Sequence, residues 1–321
     1  MMRLCRSIIH RRNFREEVAK AKKNHFVGQV HLYNFWGIEL EDFWLHRFLR
    51  AHEVLAKTKK SIGFWSVFGD RRLVDAVADD VNVFYTGENV HIEQHIQYAD
   101  YMLSNPKIQL ALGFDYFEHS RYQRFPLWIM YAFGDCFTYE EVCRRCEELR
   151  YPALGERRKW VCAVSSWDPC GIRAQIADVV GEMLRIDYPG KWRHNDNTLM
   201  DEFEDDKISY LKQYVFNICP ENSNSYGYVT EKLFEAIASG CIPIYWGSYN
   251  DPEPGIINKE AVLFYEEKDG GRCLKEKIGH LIKDDSCLHD FIGQARLLPD
   301  AEDKIWEMMN ALKHRMEQII I

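Results

Sequence analysis

Runs of hydrophobic residues alternate along the chain with segments in which hydrophobic residues recur every three or four positions. The first half holds hydrophobic runs at 29–37, 62–69 and 81–89, separated by amphipathic segments at 40–55 and 71–80. Runs of this length predict buried strands, and a spacing of three or four predicts helices. Strands that alternate with helices are typical of a mostly parallel sheet that carries helices on both faces.

The same alternation restarts after residues 150–159, a segment rich in Pro, Gly and charged residues that we interpret as a linker. Further strands and helices are predicted in the second half at 160–166, 172–184, 214–220, 229–239 and 241–247. Gly240 is suited to end the helix at 229–239 in a left-handed conformation. The pattern therefore predicts two α/β domains, 1–155 and 156–321, that face each other across a cleft.

Length and composition agree with this division. A chain of 321 residues suits two domains of roughly 150 residues each. Hydrophobic residues make up 46% and charged residues 28%, which excludes a disordered chain. The formal net charge of −8 argues against a nucleic-acid-binding protein, because phosphate binding normally requires a basic excess. Any phosphate contact is therefore expected to be local.

The first 25 residues form a basic arm. They contain eight Lys and Arg residues and two Glu residues, a net charge of +6 in a chain that is acidic overall. Two interpretations stay open: the arm touches anionic lipid at a membrane surface, or it is a solvated, frayed terminus. Its only apolar run, Ile8-Ile9, is far too short for a signal peptide or a spanning helix. We therefore expect a cytoplasmic protein, with peripheral membrane contact as one use of the arm.

Ten cysteines are present, and we expect reduced thiols. Cys143 and Cys146 are spaced as C-x-x-C inside a charged helical pattern, which favours two thiols on one helix face. A zinc site completed by Cys162 and Cys170 is the alternative. No D-x-D motif occurs in the chain, so we predict no obligatory metal and leave stimulation by a divalent ion open.

The segment Glu221–Gly247 has the pattern of an anion site, because a polar loop leads directly into a helix. Helix amino-termini present unpaired N–H groups and the positive end of the helix dipole. Lys232 adds a positive charge in the first turn, and Asn222 and Tyr228 offer neutral hydrogen-bond donors. Glu231 can accept a hydrogen bond from a sugar hydroxyl. Taken singly, each of these residues is equally compatible with packing or an ordinary helix start.

The complete string ENSNSYGYVTEK, followed nine residues after its Lys by CIPIYWG, resembles the signature of the family ten fucosyltransferases, above all its bacterial members. Three upstream segments, at 66–89, 111–128 and 164–173, resemble the same family in the same order. The resemblance covers roughly residues 28–265. It implies a GT-B fold, in which two Rossmann-like domains face each other and the C-terminal one holds GDP-fucose.

The resemblance also implies roles for particular residues of the second domain. Arg173 matches the arginine that the family places against the donor phosphates, and Lys232 matches its lysine partner. Asn222, Tyr228 and Glu231 match donor contacts around the diphosphate and the fucose. Two cations and a helix amino-terminus would then replace a metal ion as the stabilisers of the departing GDP.

Glu88, in FYTGEN, matches the carboxylate that the family uses as general base. Inversion from GDP-β-L-fucose to an α-fucoside requires such a base, because the attacking hydroxyl must lose its proton. The expected acceptor is the 3- or 4-hydroxyl of N-acetylglucosamine, or of glucose, in a Lewis-type glycan. Loops at 91–97 and 117–124, rich in aromatic, His and Arg residues, are expected to govern acceptor choice.

Two other classes stay open beside this interpretation. A GT-B transferase could use another GDP-sugar or a UDP-sugar, and a non-catalytic module could bind nucleotides or glycans through the same elements. A dehydrogenase is disfavoured, because no G-x-G-x-x-G follows the first strand of either predicted domain.

Overall fold

The computed structural model describes residues 14–23, 28–153, 157 and 159–321. Within these ranges, no helix combines the length and the apolar character that crossing a membrane requires. Residues 14–23 are helical and expose the cations Arg15, Lys20, Lys22 and Lys23. The rest of the predicted arm, with its four other arginines, lies outside the described residues. Its membrane contact and the cytoplasmic location stay predictions.

The chain divides into two compact units. The first consists of Met1–Phe125 with Glu307–Ile321, and the second of Pro126–Trp306. The first unit holds a five-stranded sheet whose strands lie side by side in chain order and pair in parallel. These strands are β1 Val30–Tyr33, β2 Ile62–Trp65, β3 Val81–Tyr85, β4 Leu110–Gly113 and β5 Tyr122–Arg124. Helices α1 (Trp44–Ala51) and α2 (Leu73–Ala76) follow β1 and β2.

The second unit holds another five-stranded parallel sheet, in the order β10-β9-β8-β6-β7. Its strands are β6 Lys159–Cys162, β7 Ile186–Asp187, β8 Tyr214–Ile218, β9 Ile242–Tyr245 and β10 Leu263–Phe264. Its helices are α3 Leu127–Ala132, α4 Tyr139–Arg150, α5 Ile172–Gly181, α6 Thr198–Asp201, α7 Lys207–Leu211, α8 Glu231–Ala238, α9 Arg272–Leu281 and α10 Asp285–Ile292. The last helix, α11 Ala301–Ile320, begins in the second unit and ends in the first.

Short 3₁₀ turns connect several of these elements. They lie at Leu55–Lys57, Ile96–Tyr98, Ser248–Asn250, Lys259–Ala261 and Glu267–Asp269.

Burial explains why the strands appear in the sequence as hydrophobic runs rather than as alternating patterns. Every residue of β2, β3, β8 and β9 is buried, as expected for parallel strands covered on both faces. In the second unit, α5 packs Ile172, Ile176 and Val180 into the core that the sheet forms. These positions are four residues apart and share one helix face. Helix packing thus fixes the start of α5 relative to the ends of the strands.

Strand order creates a natural ligand position in the second sheet. From β6 the chain goes to β7 on one side and then crosses to β8 on the other. Ligands of open parallel sheets bind beyond the carboxyl ends of the strands at such a reversal. The segments that leave β6 and β8 contain Arg173 and Asn222, so the topology brings these two predicted residues to one place.

The boundary between the units differs from the predicted division at 155/156. The chain divides at Phe125, and α3 and α4 belong to the second unit. Trp128 of α3 stacks on Phe234 of α8 with ring centroids 4.3 Å apart, and Arg150 of α4 bonds Glu302 of α11 at 2.5 Å. Because the apolar face of α3 packs on the second core, the division falls before α3. Residues 154–156 and 158 of the predicted linker lie outside the described residues.

Candidate active site

Glu221 anchors the loop after β8 to the start of α8. Its carboxylate is completely buried and accepts hydrogen bonds from the Thr230 backbone N–H at 2.8 Å and the Thr230 hydroxyl at 2.7 Å. The hydroxyl of Tyr245, at the end of β9, donates to the same carboxylate at 3.2 Å. A buried carboxylate with three donors is well compensated. The loop is therefore held rigidly at the point where the helix begins.

The first turn of α8 is left without a side-chain cap. Thr230 occupies the N-cap position in extended conformation, but its hydroxyl makes no capping bond to the helix. It donates to Glu221 and accepts from Lys232 Nζ at 2.9 Å instead. The first N–H groups of a helix need external acceptors. The start of α8 is thus suited to an anion, as the sequence predicts.

Lys232 remains charged although little of its side chain is exposed. Burial lowers the pKa of its ammonium group, but the carboxylates of Glu221 and Glu231, at 3.5 and 3.3 Å, outweigh this effect and raise the pKa above its ordinary value. The nearby Arg173 guanidinium opposes them. Two cations that repel each other in this way are stabilised by a bound anion.

Glu231 is ionised at neutral pH for the complementary reason. Burial raises the pKa of its carboxyl group, yet the charges of Lys232 and Lys207 bring the pKa below its ordinary value. About one fifth of the side chain is exposed, at 21%. Glu231 therefore presents a negative charge beside the cationic group.

Arg173 is held in place by the loop after β8. Its Nη2 donates to the Pro220 carbonyl at 3.0 Å and to Asn222 Oδ1 at 2.8 Å. Asp168 accepts from the Arg173 backbone N–H at 3.2 Å and lies 3.9 Å from Nη1. Within the described chain, this buried Nη1 has no hydrogen-bond acceptor. A buried donor without an acceptor is costly, so the guanidinium is prepared for a further partner.

The structure thus brings Arg173, Asn222, Glu231 and Lys232 together around residues 220–222, since Glu221 faces Lys232 while its two neighbours bond Arg173. Tyr228 lies in the same loop and is 2% exposed. The loop is also tied to the turn after β9, because the Gly227 N–H donates to Ser248 Oγ at 3.0 Å. The five predicted donor residues therefore belong to one connected structure.

Glu88 lies in the first unit, beyond the carboxyl end of β3, as predicted. The Thr86 hydroxyl accepts from the Glu88 backbone N–H at 2.9 Å, which fixes the turn. Glu88 is half-buried. Close to it in sequence, the ring of His91 bonds the Asp115 carboxylate at 2.7 Å, which ties this segment to the end of β4.

Sequence reasoning missed two carboxylates of the donor site. In the sequence, Glu221 is only the first residue of the segment Glu221–Gly247, and Asp168 lies in the segment 164–173 with no role predicted for it. The partners of Glu221 are 9 and 24 residues away, so no local pattern reveals them. Asp168 accepts from the N–H groups of Arg173 and Ala174, and an Asp shortly before a helix is the signal that could have shown it.

The zinc alternative requires four cysteine thiols, Cys143, Cys146, Cys162 and Cys170, around one metal ion. Across the described ranges, no group of three or more His, Cys, Asp or Glu side chains is arranged to hold a metal ion. Cys146 is buried on α4, and Cys162 is buried in a core cluster with Cys241 and Tyr214. The four cysteines of the proposed zinc site therefore do not form a ligand set.

Gly247 offers a test of how strongly the site depends on Glu221. A Cβ there would lie 2.6 Å from Glu221 Cγ and 2.9 Å from the Tyr245 hydroxyl, and its φ of +148° disfavours other residues. We expect Gly247→Ala to lower the free energy of unfolding by about 3 kcal/mol, through overpacking and backbone strain. Denaturation in guanidinium chloride measures this effect.

Gly181→Ala is the matched control for that substitution. The added Cβ would make only an ordinary contact, 3.9 Å from Ile186 Cδ1. Its stability should therefore change by less than about 1 kcal/mol. If both variants unfolded at the same denaturant concentration as the unmodified protein, the close packing of Glu221 against Gly247 would be refuted.

Comparison with known proteins agrees with the geometry. Residues 30–131 match the N-terminal domain of α-(1,3)-fucosyltransferase FucT, and residues 153–292 match the C-terminal part of glycosyltransferase family 10 (fucosyltransferase). The α-(1,3)-fucosyltransferase FucT of Helicobacter pylori is 30% identical over 212 residues, which cover 58% of this chain and 41% of that protein. GDP-fucose protein O-fucosyltransferase 3 of Xenopus laevis is 27% identical over 161 residues, 44% of this chain and 33% of that protein.

The chain spans less than half the length of these two relatives. A crystal structure of an α1,3-fucosyltransferase with GDP-fucose superimposes with a TM-score of 0.56 at 20% identity, covering 88% of this chain and 89% of that one. This similarity confirms the predicted GT-B fold. The two matched regions cover most of the described chain in the order expected for the family. The chain belongs to glycosyltransferase family 10, the fucosyltransferases.

Proposed function

We propose that this protein transfers L-fucose from GDP-β-L-fucose to a hydroxyl group of a saccharide acceptor, with formation of an α-1,3 or α-1,4 linkage. The observation that carries the proposal is the pair of buried cations at the start of α8. Arg173 retains an unsatisfied donor, Lys232 is held charged, and each raises the electrostatic energy of the other. A bound diphosphate would accept a hydrogen bond from Arg173, pair with the charge of Lys232 and reduce the repulsion between the two cations.

The donor diphosphate binds between the open first turn of α8 and these two cations. The uncapped N–H groups donate hydrogen bonds to the phosphate oxygens, while Arg173 and Lys232 balance the phosphate charge. When the bond between fucose C1 and the phosphate oxygen breaks, its electron pair leaves with GDP. Fixed cations in a partly buried site stabilise this growing charge. Stimulation by a divalent ion is compatible with this arrangement and stays a prediction.

The sugar of the donor lies near Glu231, Asn222 and Tyr228. Because Asn222 Oδ1 already accepts from Arg173, its amide nitrogen is the group left to donate to the ligand. Glu231 is ionised and can accept a hydrogen bond from a fucose hydroxyl. Its charge also stabilises the positive charge that develops on the sugar ring as the leaving group departs.

Glu88 removes the proton from the acceptor hydroxyl. In a single displacement, the hydroxyl oxygen forms a bond to fucose C1 while the bond to GDP breaks, and the proton passes to the Glu88 carboxylate. The configuration at C1 is therefore inverted, from the β-linked donor to the α-linked product. The turn that Thr86 fixes keeps the carboxylate at the carboxyl edge of the first sheet.

The acceptor is proposed to be the 3- or 4-hydroxyl of N-acetylglucosamine, or of glucose, in a Lewis-type oligosaccharide. One relative carries the name of a protein O-fucosyltransferase, which makes a polypeptide hydroxyl the alternative acceptor. Both acceptors require the same donor site.

A coupled assay tests the proposal directly. The protein is mixed with GDP-fucose and N-acetyllactosamine, and GDP release and the fucosylated product are measured. A thermal-shift panel of GDP-fucose, GDP-mannose, UDP-galactose and UDP-N-acetylglucosamine tests the donor, since only a bound ligand raises the melting temperature. Stabilisation by a UDP-sugar alone would contradict the choice of donor, and GDP-fucose binding without any release of GDP would support a non-catalytic module.

A further inference from the structure

A cluster of exposed apolar side chains lies on the first unit, and no step of the proposed transfer uses it. Trp36 is 81% exposed, Phe68 45% and Ile96 56%. The rings of Trp36 and Phe68 lie 6.2 Å apart between centroids, and the His95 ring meets Phe68 edge-on at 6.0 Å. We name Trp36, Phe68, His95 and Ile96 the aromatic platform. Contiguous exposed apolar side chains mark binding surfaces.

The platform lies on the same sheet edge as Glu88. Trp36 is three positions past the end of β1, Phe68 three past the end of β2, and Glu88 three past the end of β3. These strands are neighbours in the sheet and run in parallel, with Tyr33 paired to Trp65 and Trp65 to Phe84. Neighbouring strands are about 4.8 Å apart. Phe68 therefore follows the strand next to that of the proposed base, and Trp36 follows the strand beyond it.

The platform is also built on a fixed backbone. The Phe68 N–H donates to the Asn34 carbonyl at 3.0 Å, which joins the loops after β1 and β2. The Tyr98 hydroxyl donates to the Gly69 carbonyl at 2.8 Å, and Arg71 bonds the Asp100 carboxylate at 3.1 Å. These bonds join the Phe68 loop to the segment that carries His95 and Ile96. Exposed rings on a fixed backbone lose little entropy when a ligand covers them.

Tyr116, three positions past the end of β4, lies on the other side of Glu88 in the strand order and is 47% exposed. The guanidinium of Arg124 lies 4.0 Å from the centre of its ring. Burial lowers the pKa of His95, so this residue is neutral at pH 7 and brings no charge to the platform. On the side of Glu88 toward β4 the exposed Tyr116 ring thus faces a cation, whereas the platform rings Trp36 and Phe68 face each other.

We propose that the aromatic platform is an acceptor subsite, where Trp36 and Phe68 stack against the C–H face of a pyranose ring of the oligosaccharide. The face of an aromatic ring is electron-rich, and sugar C–H groups carry partial positive charge, so stacking combines apolar burial with electrostatic attraction. The proposal rests on the proposed transfer function. It extends that function, because it assigns part of the acceptor specificity to Trp36 and Phe68, which lie outside the loops 91–97 and 117–124.

The experiment separates acceptor recognition from donor recognition. Trp36→Ala and Phe68→Ala should each raise the KM for N-acetyllactosamine by about tenfold, since a stacking contact is lost. The KM for GDP-fucose and kcat at saturating acceptor should stay within twofold. Trp36→Phe retains a ring and should lie between the unmodified protein and Trp36→Ala. Tyr151→Ala, at a residue of the second unit that is 57% exposed, is the matched control.

A binding measurement keeps the test independent of turnover. Saturation-transfer NMR with N-acetyllactosamine and GDP should show contact of the saccharide with the unmodified protein and a loss of that contact in the double variant Trp36→Ala/Phe68→Ala. If the double variant kept its acceptor KM and its NMR contact within twofold, the platform would be refuted while the fucose transfer stood. If no fucose transfer occurred but the NMR contact depended on both rings, the platform would stand and the proposed function would fall.

Discussion

Glu88→Gln is expected to lower kcat for fucose transfer by about 10³-fold while GDP binding changes by less than a few-fold. General-base catalysis contributes about 10²- to 10⁴-fold, and the amide cannot accept the proton of the acceptor hydroxyl. The turn around Glu88 should survive, because the bonds it makes with Thr86 use backbone atoms of Glu88. The release of GDP from GDP-fucose in the presence of N-acetyllactosamine measures the change.

Glu93→Gln serves as the control for this substitution, since Glu93 is an exposed carboxylate only five residues further along the same segment. Its kcat should stay within twofold. Both variants should melt within about 2 °C of the unmodified protein, which corresponds to less than about 1 kcal/mol in a domain of this size. Near-normal turnover in Glu88→Gln would remove Glu88 from the role of base.

Lys232→Met is expected to cause the second large effect, a loss of both stability and donor affinity. The substitution leaves the completely buried Glu221 carboxylate without its cation. Removing one partner of a buried ion pair costs about 3–5 kcal/mol, and we expect the lower end because 19% of the Lys232 side chain is exposed. The loss of a charge-assisted contact with the diphosphate should weaken GDP-fucose binding at least tenfold.

Two further variants separate these effects. Lys207→Met breaks the ion pair between Lys207 of α7 and Glu235 of α8, so it should lower stability. Its effect on donor affinity should be much smaller than that of Lys232→Met, because Lys232 still keeps Glu231 ionised. The double variant Lys232→Met/Glu221→Gln removes the orphaned charge and should regain part of the stability, but none of the donor affinity. Isothermal calorimetry with GDP and urea denaturation provide the two readouts. Unchanged GDP affinity in Lys232→Met would contradict a role for this residue at the phosphates.

Local chemistry explains which parts of the structure could be predicted. The start of α8 at Glu231 and its end before Gly240, whose φ is +74°, follow from neighbouring residues alone. The same holds for the buried strands β3, β8 and β9, whose hydrophobic runs are compact and bounded by turn residues. Such signals lie within one element and need no knowledge of tertiary packing.

Interactions between distant segments account for what could not be predicted. The unit boundary depends on the stacking of Trp128 on Phe234, which is 106 positions away in the sequence. No change of composition near residue 125 indicates that contact. The role of Glu221 depends on Thr230 and Tyr245, which approach it only when β8 and β9 are paired. The positions of Arg173 and Asn222 required the strand order, which hydrophobic patterns do not contain.

Helix α11 has a consequence for how the protein is made. Most of its residues belong to the segment Glu307–Ile321, which completes the first unit. There the Met308 carbonyl accepts a hydrogen bond from Gln123 at 2.9 Å, and Glu317 pairs with Lys57 at 3.2 Å. Synthesis of the first unit therefore begins before that of the second, but its last residues are added only after the whole second unit has been synthesised. Domains generally fold as they emerge, the N-terminal one first. Here all residues of the second unit are synthesised before the last residues of the first unit, so we expect the second unit to fold first.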